Sequence, residues 1–303
     1  MSIINFIYYL NRPEYFFQPK QLLKRIALNL TKKNTNEQVL LPWGTRFTAS
    51  LDSKNKVNHS LFIKGIYDLS VTEVIYRLLM PAETAIDVGA NIGYLTSLMA
   101  DRVGNQGKVM CFEANPMVYH ELCQMIKNHG WDYVIPSQIA LSNQSGSGYL
   151  VVKLDNTGEG YLSTESDFNK LDDSDVTTYS VNQSRLDQLD LLPNIACIHL
   201  IKIDVEGHER EVLEGAGEWI SQGKVRDIVF EEHRDYPNET TKLLESFGYT
   251  IFRIRKGFWK PILAAPEQLW RHPWEPPNYL GTLEPDRAMR LLNPHGWQSL
   301  QRA

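Results

Sequence analysis

Three short segments of this sequence carry residue types able to do chemistry. The first is Asp87-Val88-Gly89-Ala90-Asn91-Ile92-Gly93, in which glycines allow close backbone approach and a carboxylate stands two residues before the first of them. The second, Lys202-Ile203-Asp204-Val205-Glu206-Gly207-His208-Glu209-Arg210, crowds titratable side chains directly after an apolar run. Asp204, Glu206 and His208 are candidates for function there, whereas Glu209 and Arg210 read as a solvated helix start. The third is Phe230-Glu231-Glu232-His233-Arg234-Asp235. Glu231 and His233 are two apart and share a face if a strand continues through them, while Glu232 and Asp235 read as solvated or capping residues.

The elements that must position these segments follow from hydrophobic periodicity. Apolar runs at 84–88, 108–112, 133–140, 195–203, 225–230 and 249–254 predict strands, the fourth apolar enough for burial on both faces. Between them, apolar residues three or four apart (Ile92, Leu95, Leu98, Met99; Val118, Leu122, Met125, Ile126; Val212, Leu213, Ala216) predict helices. Asn115 and Pro116 form a helix start, and Gly130 a stop. Alternating strands and helices mean a doubly wound, mostly parallel α/β sheet, which binds ligands beyond the carboxyl ends of its strands. All three segments lie at such ends.

Glu113, closing the second strand, stands where dinucleotide folds place the acid that grips ribose hydroxyls. The glycine turn and this glutamate together call for a nucleoside-containing ligand. A nicotinamide dinucleotide wants G-x-G-x-x-G, but this chain has G-x-x-x-G. The Asp87 carboxylate would repel a pyrophosphate and suit a sulfonium and an ammonium. The expected cofactor is therefore S-adenosylmethionine, with an NAD-dependent oxidoreductase as the rival reading and a non-catalytic cofactor-binding module as another.

The remainder sets bounds. The 303 residues carry 31 basic and 36 acidic side chains, net charge −5, without the basic footprint of a general nucleic-acid binder. Cys111, Cys123 and Cys197 read as packing residues. No run approaches the ~18 consecutive apolar residues of a membrane span, and the apolar start lacks the marks of a signal peptide, so a cytoplasmic location is expected. Residues 1–40 read as a short N-terminal helical extension with an aromatic group (Tyr8, Tyr9, Phe16, Phe17), followed by one catalytic domain over 41–303. Within it, 142–181 breaks the rhythm with Gly146, Gly148, Gly158 and Gly160 and reads as an inserted β-hairpin at the sheet edge. Trp259, Trp270, Trp274 and Tyr279 near the end read as cover for a sheet edge, with sugar stacking as the alternative. Self-association is compatible with this sequence.

With Ile86 to Gly93, Phe112-Glu113-Ala114-Asn115-Pro116, Ala140-Leu141-Ser142 and Ile201 to Glu209 in place, the chain resembles the FkbM-type S-adenosylmethionine-dependent methyltransferases. Asn278-Tyr279-Leu280 adds to the likeness. The resemblance spans about Gly65 to Phe252. It implies a class I methyltransferase (Rossmann-like) fold, a seven-stranded sheet with the last strand antiparallel. It implies that Asp87, Gly89, Ala90, Asn91, Gly93 and the following Tyr94 line the methionine portion of the cofactor. Glu113 would take the ribose hydroxyls, Ala140 and Leu141 would border the adenine, and Ala114 and Asp204 would also bind the cofactor. Tyr67 and Glu73 would cover the cofactor. Glu231 stands where the family more commonly has an apolar residue. Members mostly methylate hydroxyls of sugars, polyketides and other secondary metabolites, and some esterify a carboxylate.

The expected reaction is thus methyl transfer to an oxygen of a small-molecule acceptor (sugar, polyketide, lipid or peptide), with no metal-ligating residue assigned. A neutral hydroxyl needs a base, and His208, or else His233, is the expected one, with Glu206 orienting it or the substrate. A carboxylate acceptor would instead need a cation such as Arg234 or Lys202. A magnesium ion held by Asp204, Glu231 and His233 is a third arrangement that these residue types allow.

Overall fold

A computed structural model describes residues 12–19, 37–50, 53–163, 175–190, 195–268 and 277–301. The predicted alternation forms. Strand β3 (Thr84–Val88) leads through α4 (Tyr94–Val103) to β4 (Lys108–Phe112) and through α5 (Pro116–His129) to β5 (Val134–Ser137). After the insert, β10 (Ile198–Ile203) leads through α6 (Glu209–Gly215) and α7 (Gly217–Ser221) to β11 (Val225–Glu231). Helix α8 (Glu239–Ser246) then precedes β12 (Thr250–Lys256), β13 (Pro261–Ala264), β14 (Asn278–Thr282) and α9 (Pro285–Leu292).

The sheet order is β13-β12-β14-β11-β10-β3-β4-β5. Strands β11, β10, β3, β4 and β5 are parallel, and β14 runs antiparallel between β11 and β12. Seven strands are expected with the last antiparallel, and these seven are arranged so. The sheet has eight, because β13 folds back antiparallel on β12 and extends that edge. Sequence order reverses between β3 and β10, and at such a reversal the two connections leave in opposite directions and open a crevice.

The core is layered accordingly. Leu78, Leu98, Leu122 and Leu292, from α3 (Leu69–Leu78), α4, α5 and α9, pack on one sheet face. Val212, Ile220 and Leu244, from α6, α7 and α8, pack on the other. The start of α5 follows its sequence signals: Asn115 caps it by accepting from the Met117 N–H at 3.0 Å, Pro116 takes the first turn, and Gly130 ends it with φ +66.

Three expectations are corrected. The predicted strand 133–140 divides after Ser137, and its end, β6 (Ala140–Leu141), leaves the main sheet. The insert is therefore more than a hairpin. Strands β7 (Gly146–Lys153), β8 (Gly160–Ser163) and β9 (Val176–Ser184) join β6 in a four-stranded sheet of order β6-β9-β7-β8 around Ala140, Leu150, Val152 and Val181. Within the predicted helical extension, Pro13–Phe17 is a short helix α1, but β1 (Glu37–Leu40) pairs antiparallel with β2 (Arg46–Ala49). Tyr8 and Tyr9 of the N-terminal aromatic group lie outside the described residues, as do Asp172 to Ser174 in the insert. No helix among the described residues is long and apolar enough to cross a membrane.

Trp259 packs with Phe16 and Phe17, with ring centroids 5.7 and 6.2 Å apart, and Tyr279 is buried against Phe230. Neither lines the crevice described next; Tyr279, on the interior strand β14, is a core residue and covers no sheet edge, and Trp270 and Trp274 lie outside the described residues.

Candidate functional site

A cavity of about 600 Å³ opens at the carboxyl ends of β3, β4, β10 and β11, at the reversal point. Gly89, Ala90, Asn91, Tyr94, Glu113, Ala114, Ala140, Leu141, Asp204, Glu206, His208 and His233 all line it. Residues distant in sequence and singled out by type and spacing thus meet around one space. That volume falls in the range of small-molecule sites.

Two expected lining residues stand back from it. Asp87 is fully buried behind the wall, accepting a hydrogen bond from Thr96 Oγ1 at 2.6 Å and facing Lys202 Nζ at 3.6 Å. Burial lifts its carboxyl above the ordinary range, and Lys202 and Thr96 oppose that shift. Lys202 also donates to the Gly89 carbonyl at 3.0 Å and faces Asp204 at 3.4 Å. The aspartate thus steadies the glycine turn through a lysine. Gly93, at φ +89, is required for packing: a Cβ there would meet Met125 Cε at 2.3 Å and Leu122 Cδ1 at 2.7 Å on α5.

Glu73 is also misplaced by sequence reasoning. It is buried on α3, paired with Arg77 at 2.6 Å, and accepts the N–H groups of Gln298 and Ser299 at 2.8 Å. It anchors the C-terminal segment and does not line the cavity. Tyr67 does line it, its ring 6.2 Å from that of Tyr94.

Glu113 is held by backbone donors. Its Oε2 accepts from Asn91 N and its Oε1 from Asn115 N, both at 2.8 Å. Burial raises its pKa, and those two bonds oppose the rise. Each oxygen keeps a lone pair for a further donor. Three strand spacings of ~4.8 Å separate β4 from β11, so the ends of the cavity lie roughly 14 Å apart.

At the β10–β11 end, acids gather. Glu206, at φ +52, is pushed up to about 7 by partial burial and by Asp204, Glu159 and Glu209. Glu231 also lines the cavity and is pushed up to about 9 by burial, Asp204, Glu206 and Asp68. Its Oε1 lies 2.7 Å from Nε2 of the exposed His233. His208 has both ring nitrogens beside protein partners, Nε2 at 2.9 Å from Ser142 Oγ and Nδ1 at 3.6 Å from Glu211. Burial lowers its pKa.

Some charged neighbours prove structural. Glu209 is buried, not solvated: its Oε1 accepts from Val205 N at 3.2 Å and Gly207 N at 3.1 Å, fixing the loop that carries Glu206. Glu232 is buried too and holds Arg234 through its guanidinium at 2.8 and 2.9 Å, with Thr240 at 2.7 Å. Among the described residues no three His, Cys, Asp or Glu side chains gather into a metal set, so Asp204, Glu231 and His233 do not form one.

Sequence reasoning missed the roof. Asn156, Thr157, Gly158 and Glu159 of the insert and Lys56 at the start of α2 (Lys56–Lys64) line the cavity. Glu159 pairs with Lys56 and, at 3.2 Å, with Lys153. The Asn-Thr-Gly turn was a legible signal for a tight turn, but nothing local says which surface it reaches.

The Methyltransferase FkbM domain pattern matches residues 87–251, more than half of the chain. The chain belongs to the FkbM methyltransferase family. It is a methyltransferase, its cofactor is S-adenosylmethionine, and the NAD-dependent reading falls. Methyltransferase 1 of Beauveria bassiana is 26% identical over 220 residues, covering 68% of this chain and 84% of that protein. Hexuronic acid methyltransferase AglP of Haloferax volcanii is 28% identical over 185 residues, 59% of this chain and 70% of that protein. Among solved structures, Aeropyrum pernix fibrillarin in complex with natively bound S-adenosyl-L-methionine is a distant likeness. It has 13% identity and a TM-score of 0.40 over 78% of this chain and 77% of that one.

Proposed function

We propose that this FkbM-family enzyme transfers the methyl group to a hydroxyl oxygen of a small polyhydroxylated acceptor, of the sugar or related kind. In this reading the adenosine lies between Glu113 and Ala140-Leu141, and the sulfonium points towards Asp204. The acceptor occupies the end bounded by Glu206, Glu231 and His233.

One observation carries the choice of hydroxyl over carboxylate. The acceptor end presents carboxyl groups to the cavity, while both cations considered for an anionic acceptor are engaged elsewhere. Lys202 is held among Asp87, Asp204 and the Gly89 carbonyl, and Arg234 is tied to Glu232 outside the lining. An anion there would find neither cation free to pair with it, and repulsion wherever those carboxyls are ionised. Hydroxyls would find acceptors.

Methyl transfer from a sulfonium is an in-line displacement, and alignment of nucleophile, methyl and sulfur supplies about 7–11 kcal/mol. The acceptor oxygen must also lose its proton. His208 is bonded to Ser142 at Nε2 and faces Glu211 with Nδ1, which favours His233 as the base. A positively charged donor beside Asp204 favours the ionised form of Glu231, which then accepts the Nε2 proton of His233. The other ring nitrogen is left to take the acceptor's proton, and Glu206 orients the acceptor hydroxyls.

The test uses methyl-labelled S-adenosylmethionine with a panel of neutral glycosides, polyols and sugar acids; the Haloferax relative's name brings the last group in. Label should appear in alkali-stable ethers. His233→Ala should lower kcat by about 10²–10⁴ while leaving S-adenosylhomocysteine affinity intact. Label confined to alkali-labile esters, or undiminished turnover in His233→Ala, would overturn the reading.

A further inference from the structure

The two backbone N–H groups that hold Glu113 belong to residues whose side chains are held in turn by the insert. Asn91 Nδ2 donates to the Gly158 carbonyl at 3.2 Å, and Asn115 Nδ2 to the adjacent Thr157 carbonyl at 3.0 Å. Two consecutive peptide carbonyls of the insert therefore grip both residues that fix the carboxylate. A third asparagine completes the junction: Asn55 Nδ2 donates to Asn91 Oδ1 at 2.6 Å. Thr157 N donates to the Lys54 carbonyl at 3.2 Å, bringing in the segment before α2.

The junction is close-packed. A Cβ on Gly158 would sit 2.8 Å from Asn91 Nδ2 and 3.0 Å from Asn55 Nδ2. Asn91 holds φ +52, a conformation that persists where its surroundings over-determine it. Its side-chain bonds to Asn55 and Gly158 do so. Asn55 and Asn115 are both buried, so these bonds are shielded from water, and an amide left without its partner would be costly.

We propose that Thr157 and Gly158 of the insert, with Asn55, are positioning residues for the cofactor: through Asn91 and Asn115 they aim Glu113, coupling adenosyl binding to seating of the insert. The inference rests on the reading that Glu113 takes the ribose hydroxyls. A carboxylate pinned by two N–H donors presents its remaining lone pairs in fixed directions, so a small turn of either asparagine re-aims them. The coupling is reciprocal: whatever affinity the seated insert adds, bound cofactor returns as stability of the 156–159 turn.

The test needs no acceptor. Asn115→Ser and Asn55→Ser each keep a side chain able to cap its helix but too short to span the junction. Each should weaken S-adenosylhomocysteine binding in calorimetry by about tenfold, raising KM for the donor with kcat at saturation unchanged. Together they should weaken it by less than the product of the single effects. In the unaltered enzyme S-adenosylhomocysteine should slow amide exchange at 156–159, and it should do so less in either variant. Unchanged affinity in a folded Asn115→Ser or Asn55→Ser enzyme, or exchange at 156–159 indifferent to S-adenosylhomocysteine in the unaltered protein, would overturn the proposal. Glu113→Ala separates the two layers: full affinity in that variant would remove the ribose reading itself. Lost affinity there, with none lost in the serine variants, would remove only the coupling.

Discussion

The carbonyl oxygen of Asp204 occupies the space in which a side chain on Gly89 would begin, 1.9 Å from an ideal Cβ. Asp204 N donates to the Val88 carbonyl at 3.1 Å, so the turns after β3 and β10 are laced together at the crevice floor. Gly89, at φ +72, is thus demanded by the protein's own backbone. Gly89→Ala should cost more than about 2 kcal/mol through left-handed strain and the clash. Urea unfolding would measure it, and a loss within error would disprove this account.

Lys202→Met would leave Asp87 buried without its cation. Breaking such a pair costs about 3–5 kcal/mol. Asp87→Asn introduced into that variant should recover part of the loss, since it removes the stranded charge. Thermal unfolding of the single and double variants checks both statements, and a double variant no better than the single one would contradict the second.

Glu231 has a folded pKa of about 9 against an ordinary 4.5. A raised carboxyl pKa means that the folded state binds more protons than the unfolded one between those values. Its contribution is fully present below the lower value and is lost as pH rises through the upper one. Glu231→Gln, always neutral, should therefore show a flatter decline of Tm between about pH 5 and about pH 9. Parallel Tm profiles for the two proteins would refute the assignment.

Burial and the neighbouring acids push the Glu206 carboxyl up to about 7. A sulfonium brought alongside should favour its ionised form, so S-adenosylmethionine should release protons on binding at neutral pH, and uncharged-sulfur S-adenosylhomocysteine fewer. Calorimetry in buffers of different ionisation enthalpy reads this directly. Identical heats across buffers for both ligands would count against it.

Glu73 on α3 supports the fold and not the cofactor. Glu73→Ala removes one partner of a buried ion pair and the acceptor for two N–H groups, and should cost about 3–5 kcal/mol. KM for S-adenosylmethionine should stay unchanged at temperatures where the variant is folded. A raised KM with unchanged stability would restore Glu73 to the cofactor site.

Local order determined much of this protein. Strand–helix alternation, the Asn115-Pro116 start, the glycine turn and the carboxyl-end placement of Glu113, Asp204 and Glu206 are short-range patterns, fixed by periodicity and by which residues tolerate a turn. Those patterns were enough to bring most of the lining residues to one crevice. Tertiary structure decided the rest. Asp87 and Glu73 look alike in sequence as acids near the site, yet each is turned inward because a distant partner, Lys202 or the chain at 298–299, neutralises or ties it. His208 looks like a free base until Ser142 and Glu211 fold against its two nitrogens. The roof could not be read locally at all, since the carbonyls of Thr157 and Gly158 gain meaning only when the insert folds back onto Asn91 and Asn115. Long-range contacts choose the partner of each polar group, and a buried polar group's partner decides whether it supports the fold or faces a ligand.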